Sequence, residues 1–62
     1  MSSEYIYKHD GDEGATLTVY ISGEPEPVAW IYEKSDGWEI IYRAGWCKSF
    51  YRLTGLISDL EK

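Results

Sequence analysis

The chain has 62 residues, with eleven Asp and Glu against six Lys and Arg, one His, and a formal net charge of −5. A chain of this length forms one small domain, residues 1–62, and buries only roughly 60% of the surface that its unfolded chain exposes. An active site built between two lobes is therefore excluded. The acidic balance argues against direct binding of a phosphate backbone, because that task needs an excess of Lys and Arg.

The apolar fraction is 44%, which is too high for a disordered acidic segment. Six Tyr, three Trp and one Phe supply the bulk of a core that is poor in aliphatic residues. A single Cys forms no internal disulfide, and the chain has neither a membrane-length apolar run nor the features of a signal peptide. We therefore expect a globular cytoplasmic protein.

Period-two alternation of apolar residues predicts four successive strands, over residues 4–9, 15–21, 28–33 and 38–43. A short fifth strand over 46–48 is left open. Glycines end the strand pattern at the first connection, and two prolines end it at the second. The third connection contains Asp36-Gly37, which is typical of a type I′ hairpin turn.

The period changes after the strands. Apolar residues then recur at spacings of three and four, as on one face of a helix, at Phe50, Leu53, Leu56, Ile57 and Leu60. This pattern predicts a helix over about 50–61, with Ser49 as a candidate N-cap.

These elements predict an α+β fold: an antiparallel four- or five-stranded meander, residues 4–48, with one C-terminal helix packed on one face. The predicted covered face holds Tyr5, Tyr7, Leu17, Val19, Ile21, Trp30, Tyr32, Trp38, Ile40 and Tyr42. The opposite face then carries Ile6, Thr16, Thr18, Tyr20, Ala29, Ile31 and Ile41. Because one helix cannot cover both faces, the second face is either a binding surface, a dimer interface, or an ordinary exposed surface of a curved sheet.

No catalytic constellation is evident. His9 and Cys47 are the only His and the only Cys, and they lie at the ends of different strands, so a Cys–His nucleophile pair has no support. The residues 10–14 resemble only a fragment of a calcium loop and lack its later ligands. The sequence predicts a non-enzymatic protein without metal or cofactor, in which substitution of His9 or Cys47 leaves function intact.

The carboxylates stand out, since residues 1–39 carry nine acidic and only two basic side chains. In an up-and-down meander the first and third turns lie at the same end, which predicts an acidic partner-binding surface formed by Asp10, Asp12, Glu13, Glu33, Asp36 and Glu39. A second candidate set combines the opposite end with the uncovered face and comprises Glu24, Glu26, Tyr20, Ile31 and Ile41. Carboxylates pair with Arg much as phosphates do, although solubility alone also accounts for acidic loops.

A short chain, an acidic stretch over residues 4–39, an aromatic core and the absence of a catalytic set together resemble small phage-encoded inhibitors of the anti-CRISPR and DNA-mimic type. The resemblance is one of class and carries no shared motif. It implies a protein in the host cytosol that blocks a basic nucleic-acid-binding surface of a partner, such as a CRISPR effector complex, without binding nucleic acid itself. The basic residues Arg43, Lys48 and Arg52 depart from a uniformly acidic mimic and leave room for a mixed-charge docking surface.

Two other functions remain open at this point. The chain could be an accessory or dimerising domain that uses the uncovered sheet face, as a monomer or weak homodimer. It could also bind single-stranded nucleic acid by stacking bases on exposed rings such as Tyr20, which would need a positive groove.

Overall fold

The fold is a five-stranded antiparallel sheet with one C-terminal helix, in a computed structural model that describes residues 4–62. The strands are β1 (Tyr5–Lys8), β2 (Leu17–Ile21), β3 (Ala29–Lys34), β4 (Gly37–Tyr42) and β5 (Cys47–Phe50), and the helix is α1 (Leu53–Leu60). A single 3₁₀ turn spans Asp12–Gly14 in the first loop. The predicted α+β meander is confirmed, and β5 settles the open question of a fifth strand.

The strands lie in the sheet in the order in which they occur in the chain, β1-β2-β3-β4-β5. Residues directly opposite one another in antiparallel strands share a face. The register pairs Tyr7 with Val19, Val19 with Ala29, and Ile31 with both Leu17 and Ile40. These residues form the face that α1 covers, which we call the helix face, and the opposite side is the open face.

The core lies between the helix face and α1. Its buried members are Leu17, Val19, Ala29, Ile31, Ile40 and Leu56. Leu53, Ile57 and Leu60 pack around Leu56 as the sequence pattern predicts. An eight-residue helix is marginal in isolation, so its stability comes from this packed face rather than from helix propensity.

Two polar contacts fix α1 on the sheet. Lys48 Nζ of β5 lies 3.0 Å from Asp59 Oδ2, and the Tyr7 hydroxyl of β1 donates to the Glu61 carboxylate beyond the C-terminal end of the helix. Burial and the Glu61 carboxylate both raise the pKa of Tyr7 above its ordinary value. The helix thus contacts β5 through Asp59, and the residue that follows the helix contacts β1. No helix among the described residues has the length and apolar character needed to cross a membrane.

The predicted faces are correct for β1, β2 and β4 and wrong for β3. Ala29 and Ile31 face the helix and are fully buried, whereas Trp30 and Tyr32 lie on the open face and are only partly buried. Both alternations of this strand are apolar, so the pattern alone does not fix its register. The indole N–H and phenol O–H need hydrogen-bond partners, and the first loop supplies them on the open face.

The junction between sheet and helix was also misplaced. Phe50 ends β5, opposite Trp38, instead of opening the helix, and Ser49 lies inside β5 and is no N-cap. Arg52 occupies the N-cap position and makes no side-chain capping hydrogen bond. Phe50 fits both the strand and the helix period, which is why the helix was predicted to begin three residues early.

The β3–β4 hairpin forms where Asp36-Gly37 predicts it, but the turn is not type I′. That turn needs positive φ at both central residues, and Glu13 is the only non-glycine residue with positive φ within residues 4–62. A glycine is required at position 37 because the backbone of β5 lies too close for a side chain. Its φ is 148°, and a Cβ at this position would collide with the backbone carbonyl of Phe50 in β5.

Candidate functional site

The sheet order brings the first and third connections to the same end of the molecule. Lys8 pairs with Thr18 at the loop between β1 and β2, and Lys34 pairs with Gly37 at the turn between β3 and β4. We call this the acidic end and define it by five carboxylates, Asp10, Asp12, Glu13, Glu33 and Asp36. All five residues are exposed.

The five carboxylates of the acidic end form no salt bridge within the described part of the chain. Salt bridges join Lys34 to Glu39, Arg43 to Glu26, and both Lys48 and Lys62 to Asp59. Glu39, the sixth predicted acidic residue, is therefore paired at 3.5 Å with a cation. None of the five carboxylates of the acidic end is paired with a cation in residues 4–62.

Two of these carboxylates also hold the first loop in place. Asp10 Oδ1 accepts from the Thr18 hydroxyl at 2.6 Å and from the Asp12 backbone amide at 3.1 Å, and Asp10 Oδ2 accepts from the Tyr20 hydroxyl at 3.3 Å. Thr18 belongs to the open face and yet is fully buried. The loop therefore folds over part of the face that the sequence predicts to be uncovered.

Hydrogen bonds join the rest of the loop to β3. Trp30 Nε1 donates to Asp12 Oδ2 at 2.8 Å, and the Tyr32 hydroxyl donates to the Glu13 carbonyl oxygen at 3.1 Å. Glu13 adopts φ 54°, between two glycines that also have positive φ. We call residues 10–14 the strap. Asp10 and Asp12 keep their charge while serving the fold, whereas the side chains of Glu13, Glu33 and Asp36 make no hydrogen bond or ion pair within the described residues.

These contacts shift the pKa values of Asp10 in the strap and of Tyr20 beside it. The Thr18 hydroxyl, followed by the Asp12 amide, holds the pKa of Asp10 below its ordinary value of 3.8. Burial, and then the charge of Asp10, raise the pKa of Tyr20. Asp10 is therefore fully ionised at neutral pH and contributes its charge to the acidic end.

Asp10 makes stability depend on acidity in a defined direction. Since its pKa is lower in the folded state, it stabilises the fold at pH values above 3.8, and this contribution is lost as the pH falls toward the folded-state pKa. Asp10→Asn keeps an acceptor oxygen but does not titrate. We expect the stability difference between the wild type and Asp10→Asn in urea denaturation to shrink on acidification. A difference that stays constant with pH would contradict the role of the Thr18–Asp10 bond.

Only four of the five residues in the second predicted set lie at the opposite end or on the open face. Glu24 and Glu26 lie in the loop between β2 and β3, and Glu26 contacts Arg43 at 3.7 Å. Tyr20 and Ile41 lie on the open face and are partly buried. Ile31 was wrongly placed there, because it is fully buried on the helix face. It cannot contact a partner.

The sheet order separates the two residues considered for nucleophilic catalysis. His9 follows β1 and Cys47 opens β5, which are the two edges of the sheet. Four strand spacings, about 19 Å in total, lie between these edges. His9 and Cys47 thus form no nucleophile pair. Within residues 4–62, no group of three or more His, Cys, Asp or Glu is arranged to hold a metal ion.

An open pocket of about 500 Å³ lies beside the acidic end, between the β3–β4 turn and the end of β5. Asp36 and Glu39 contribute carboxylates, and Lys34 contributes an ammonium group. Its aromatic residues are Trp38, Phe50 and Tyr51. Tyr51 is 91% exposed, compared with 50% for Trp46 and 40% for Ile6.

The sequence pattern predicts Asp36 and Glu39 as binding residues but does not predict Tyr51. Placing the helix start at residue 50 put this tyrosine inside a helix, where it had no assigned role. Residues 47–50, Cys-Lys-Ser-Phe, show no period-two alternation, so no sequence pattern predicted that β5 extends to the pocket. Comparison of the chain with protein-family models, with curated proteins and with solved structures finds no match.

Proposed function

We propose that the chain is a non-enzymatic acidic binding protein that uses its acidic end to block a basic nucleic-acid-binding surface of a partner, in the manner of an anti-CRISPR or DNA-mimic inhibitor. The observation that carries this proposal is the group of five carboxylates at one end of the sheet, none of them paired with a cation in the described residues. Such a surface attracts the Lys and Arg side chains that hold nucleic acid.

The average density of the charges supports a resemblance to nucleic acid. The acidic end spans the strands β1 to β4, which at about 4.8 Å per strand corresponds to about 14 Å. Five charges over this width correspond to about one charge per 3 Å of width, and one strand of duplex DNA carries one charge per ~3.4 Å of helix axis. A partner surface that holds one strand of nucleic acid would meet a similar charge density here.

The open face provides a reason to consider direct nucleic-acid binding as well. Tyr20, Trp30 and Tyr32 lie on this face, and Lys8 and Lys34 sit over two of the rings, 4.9 Å from the Tyr20 centroid and 5.8 Å from that of Tyr32. However, the strap places the Asp10 and Asp12 carboxylates at the same rings. These charges repel phosphates, so the face favours a basic protein partner over a single-stranded nucleic acid.

A displacement experiment tests the proposal. A guide-RNA-loaded CRISPR effector complex is bound to fluorescein-labelled target duplex DNA, and the chain is titrated in while the anisotropy of the DNA is recorded. We expect the chain to lower the anisotropy by displacing the DNA, with an effect that weakens steeply as salt rises. The chain added to labelled duplex or single-stranded DNA alone should leave the anisotropy unchanged, whereas a rise would favour the nucleic-acid-binding alternative.

Two matched charge variants locate the interaction. Glu13→Gln, Glu33→Gln and Asp36→Asn together remove three charges from the acidic end without removing a side-chain hydrogen bond that the structure shows. At about 0.5–1 kcal/mol per exposed contact, the loss should weaken displacement roughly ten- to hundredfold.

The control removes three charges from the opposite end, through Glu4→Gln, Glu24→Gln and Glu26→Gln. It reaches the same net charge and should retain displacement within about threefold. Equal losses in both variants would show a diffuse electrostatic effect instead of a local surface. Failure of the wild type to displace DNA would overturn the proposed inhibition of such complexes. Light scattering then tests the alternative of a dimerising domain.

A further inference from the structure

We propose that the open pocket between the β3–β4 turn and the end of β5 receives an arginine side chain of the partner. This inference rests on the proposed function and specifies which partner group is recognised. The pocket volume of about 500 Å³ lies within the range of sites that bind small ligands or single side chains.

The charges of the pocket select a cation. Asp36 is exposed and is not paired with a cation among the described residues. Glu39 is paired with Lys34 at 3.5 Å, but exposed ion pairs of this kind contribute little, and the Lys34 side chain is 51% exposed. A guanidinium group can therefore displace Lys34 and gain two carboxylates.

The aromatic residues favour guanidinium over ammonium. Tyr51 lines the pocket and is 91% exposed, so its ring can stack on a cation, whereas the side chains of Trp38 and Phe50 lie on the helix face and pack against the core. Guanidinium is planar and weakly hydrated, so it can stack on a ring while its edge donates to a carboxylate. An ammonium group is more strongly hydrated and lacks the planar edge.

The backbone holds this arrangement in place. Trp38 and Phe50 are directly opposite each other in β4 and β5, as are Glu39 and Ser49. Gly37 lies against the Phe50 carbonyl, which keeps the turn next to the end of β5. Paired strands thus hold together the turn and the end of β5, which line the pocket.

A titration of the ¹⁵N-labelled chain with N-acetyl-arginine amide tests the inference without any partner. We expect saturable chemical-shift changes at the Gly37, Glu39 and Ser49 amides, and none at the loop that carries Glu24. N-acetyl-citrulline amide is the neutral analogue and should give no changes, and N-acetyl-lysine amide should bind more weakly. Equal shifts with arginine and citrulline, or no shifts with arginine, would overturn the proposal.

Variants assign the binding to the pocket. Tyr51→Ala should weaken arginine binding roughly two- to fivefold, and Tyr51→Phe, which keeps the ring, should restore it. Asp36→Asn should weaken binding, whereas Glu26→Gln at the opposite end should not. Unchanged binding in both Tyr51→Ala and Asp36→Asn would place the arginine elsewhere.

The two proposals can fail separately. If the chain displaces DNA from the effector complex but arginine leaves the pocket resonances unchanged, the inhibitory function stands and the pocket assignment falls. If arginine binds in the pocket but no DNA is displaced, the cation site stands and the inhibitory function falls.

Discussion

Leu56→Asp is expected to leave the chain unfolded at 25 °C. Leu56 is 1% exposed and lies in the core between α1 and the sheet. The substitution removes about 1.5–3 kcal/mol of apolar burial and adds the cost of a buried, unpaired carboxylate, which is several kcal/mol. The total stability of a small domain is only about 5–15 kcal/mol. Far-UV circular dichroism should show the loss of the native spectrum and of the thermal transition.

The matched control introduces the same charge on the solvent side of the same helix. Thr54 is exposed in the first turn of α1, where a carboxylate interacts favourably with the helix dipole. Thr54→Asp should therefore retain the native spectrum and melt at or slightly above the wild-type temperature. A Leu56→Asp protein that melts like the wild type would contradict the position of α1 on the sheet.

Gly37→Ala is expected to destabilise the sheet at the acidic end. The added Cβ would collide with the Phe50 carbonyl, which belongs to the backbone of a neighbouring strand and cannot rotate away. Steric strain and the unfavourable φ of 148° together should cost about 2–4 kcal/mol. Urea denaturation followed by tryptophan fluorescence would measure the change.

Gly55→Ala provides a comparison with the opposite sign. Gly55 lies inside α1, and a Cβ there would meet nothing within 4 Å. Alanine is the better helix former, so this substitution should stabilise the chain by about 0.5–1 kcal/mol. A shift of the urea midpoint in the same direction for both alanine variants would contradict the close approach of Gly37 to the Phe50 carbonyl.

The sequence predicts most of the architecture because each element follows a clear period. Leu17, Val19 and Ile21 alternate with polar residues, and Leu53, Leu56 and Ile57 follow a helical spacing, so both elements are found where the pattern places them. The pattern is ambiguous at β3, where both alternations are apolar. There the face is decided by hydrogen bonds from Trp30 and Tyr32 to the strap, which no periodicity encodes.

The candidate site could be predicted only at the level of topology. Sequential antiparallel strands bring the first and third connections together, which locates the acidic end. The inward fold of the strap depends on positive φ at Gly11, Glu13 and Gly14 and on a contact between Asp10 and the buried Thr18. Such contacts depend on the register of two strands and on the conformation of one loop, and composition does not specify either.

The order of the strands also affects how quickly the chain folds. Because every strand pairs only with its neighbours in the chain, each hairpin closes a short loop and needs no distant segment to arrive first. Pairing between sequence neighbours gives an antiparallel sheet a lower contact order than pairing between distant strands, and folding rates rise as contact order falls. Folding without distant strand pairings would suit the proposed inhibition, in which the chain must reach its target before nucleic acid does.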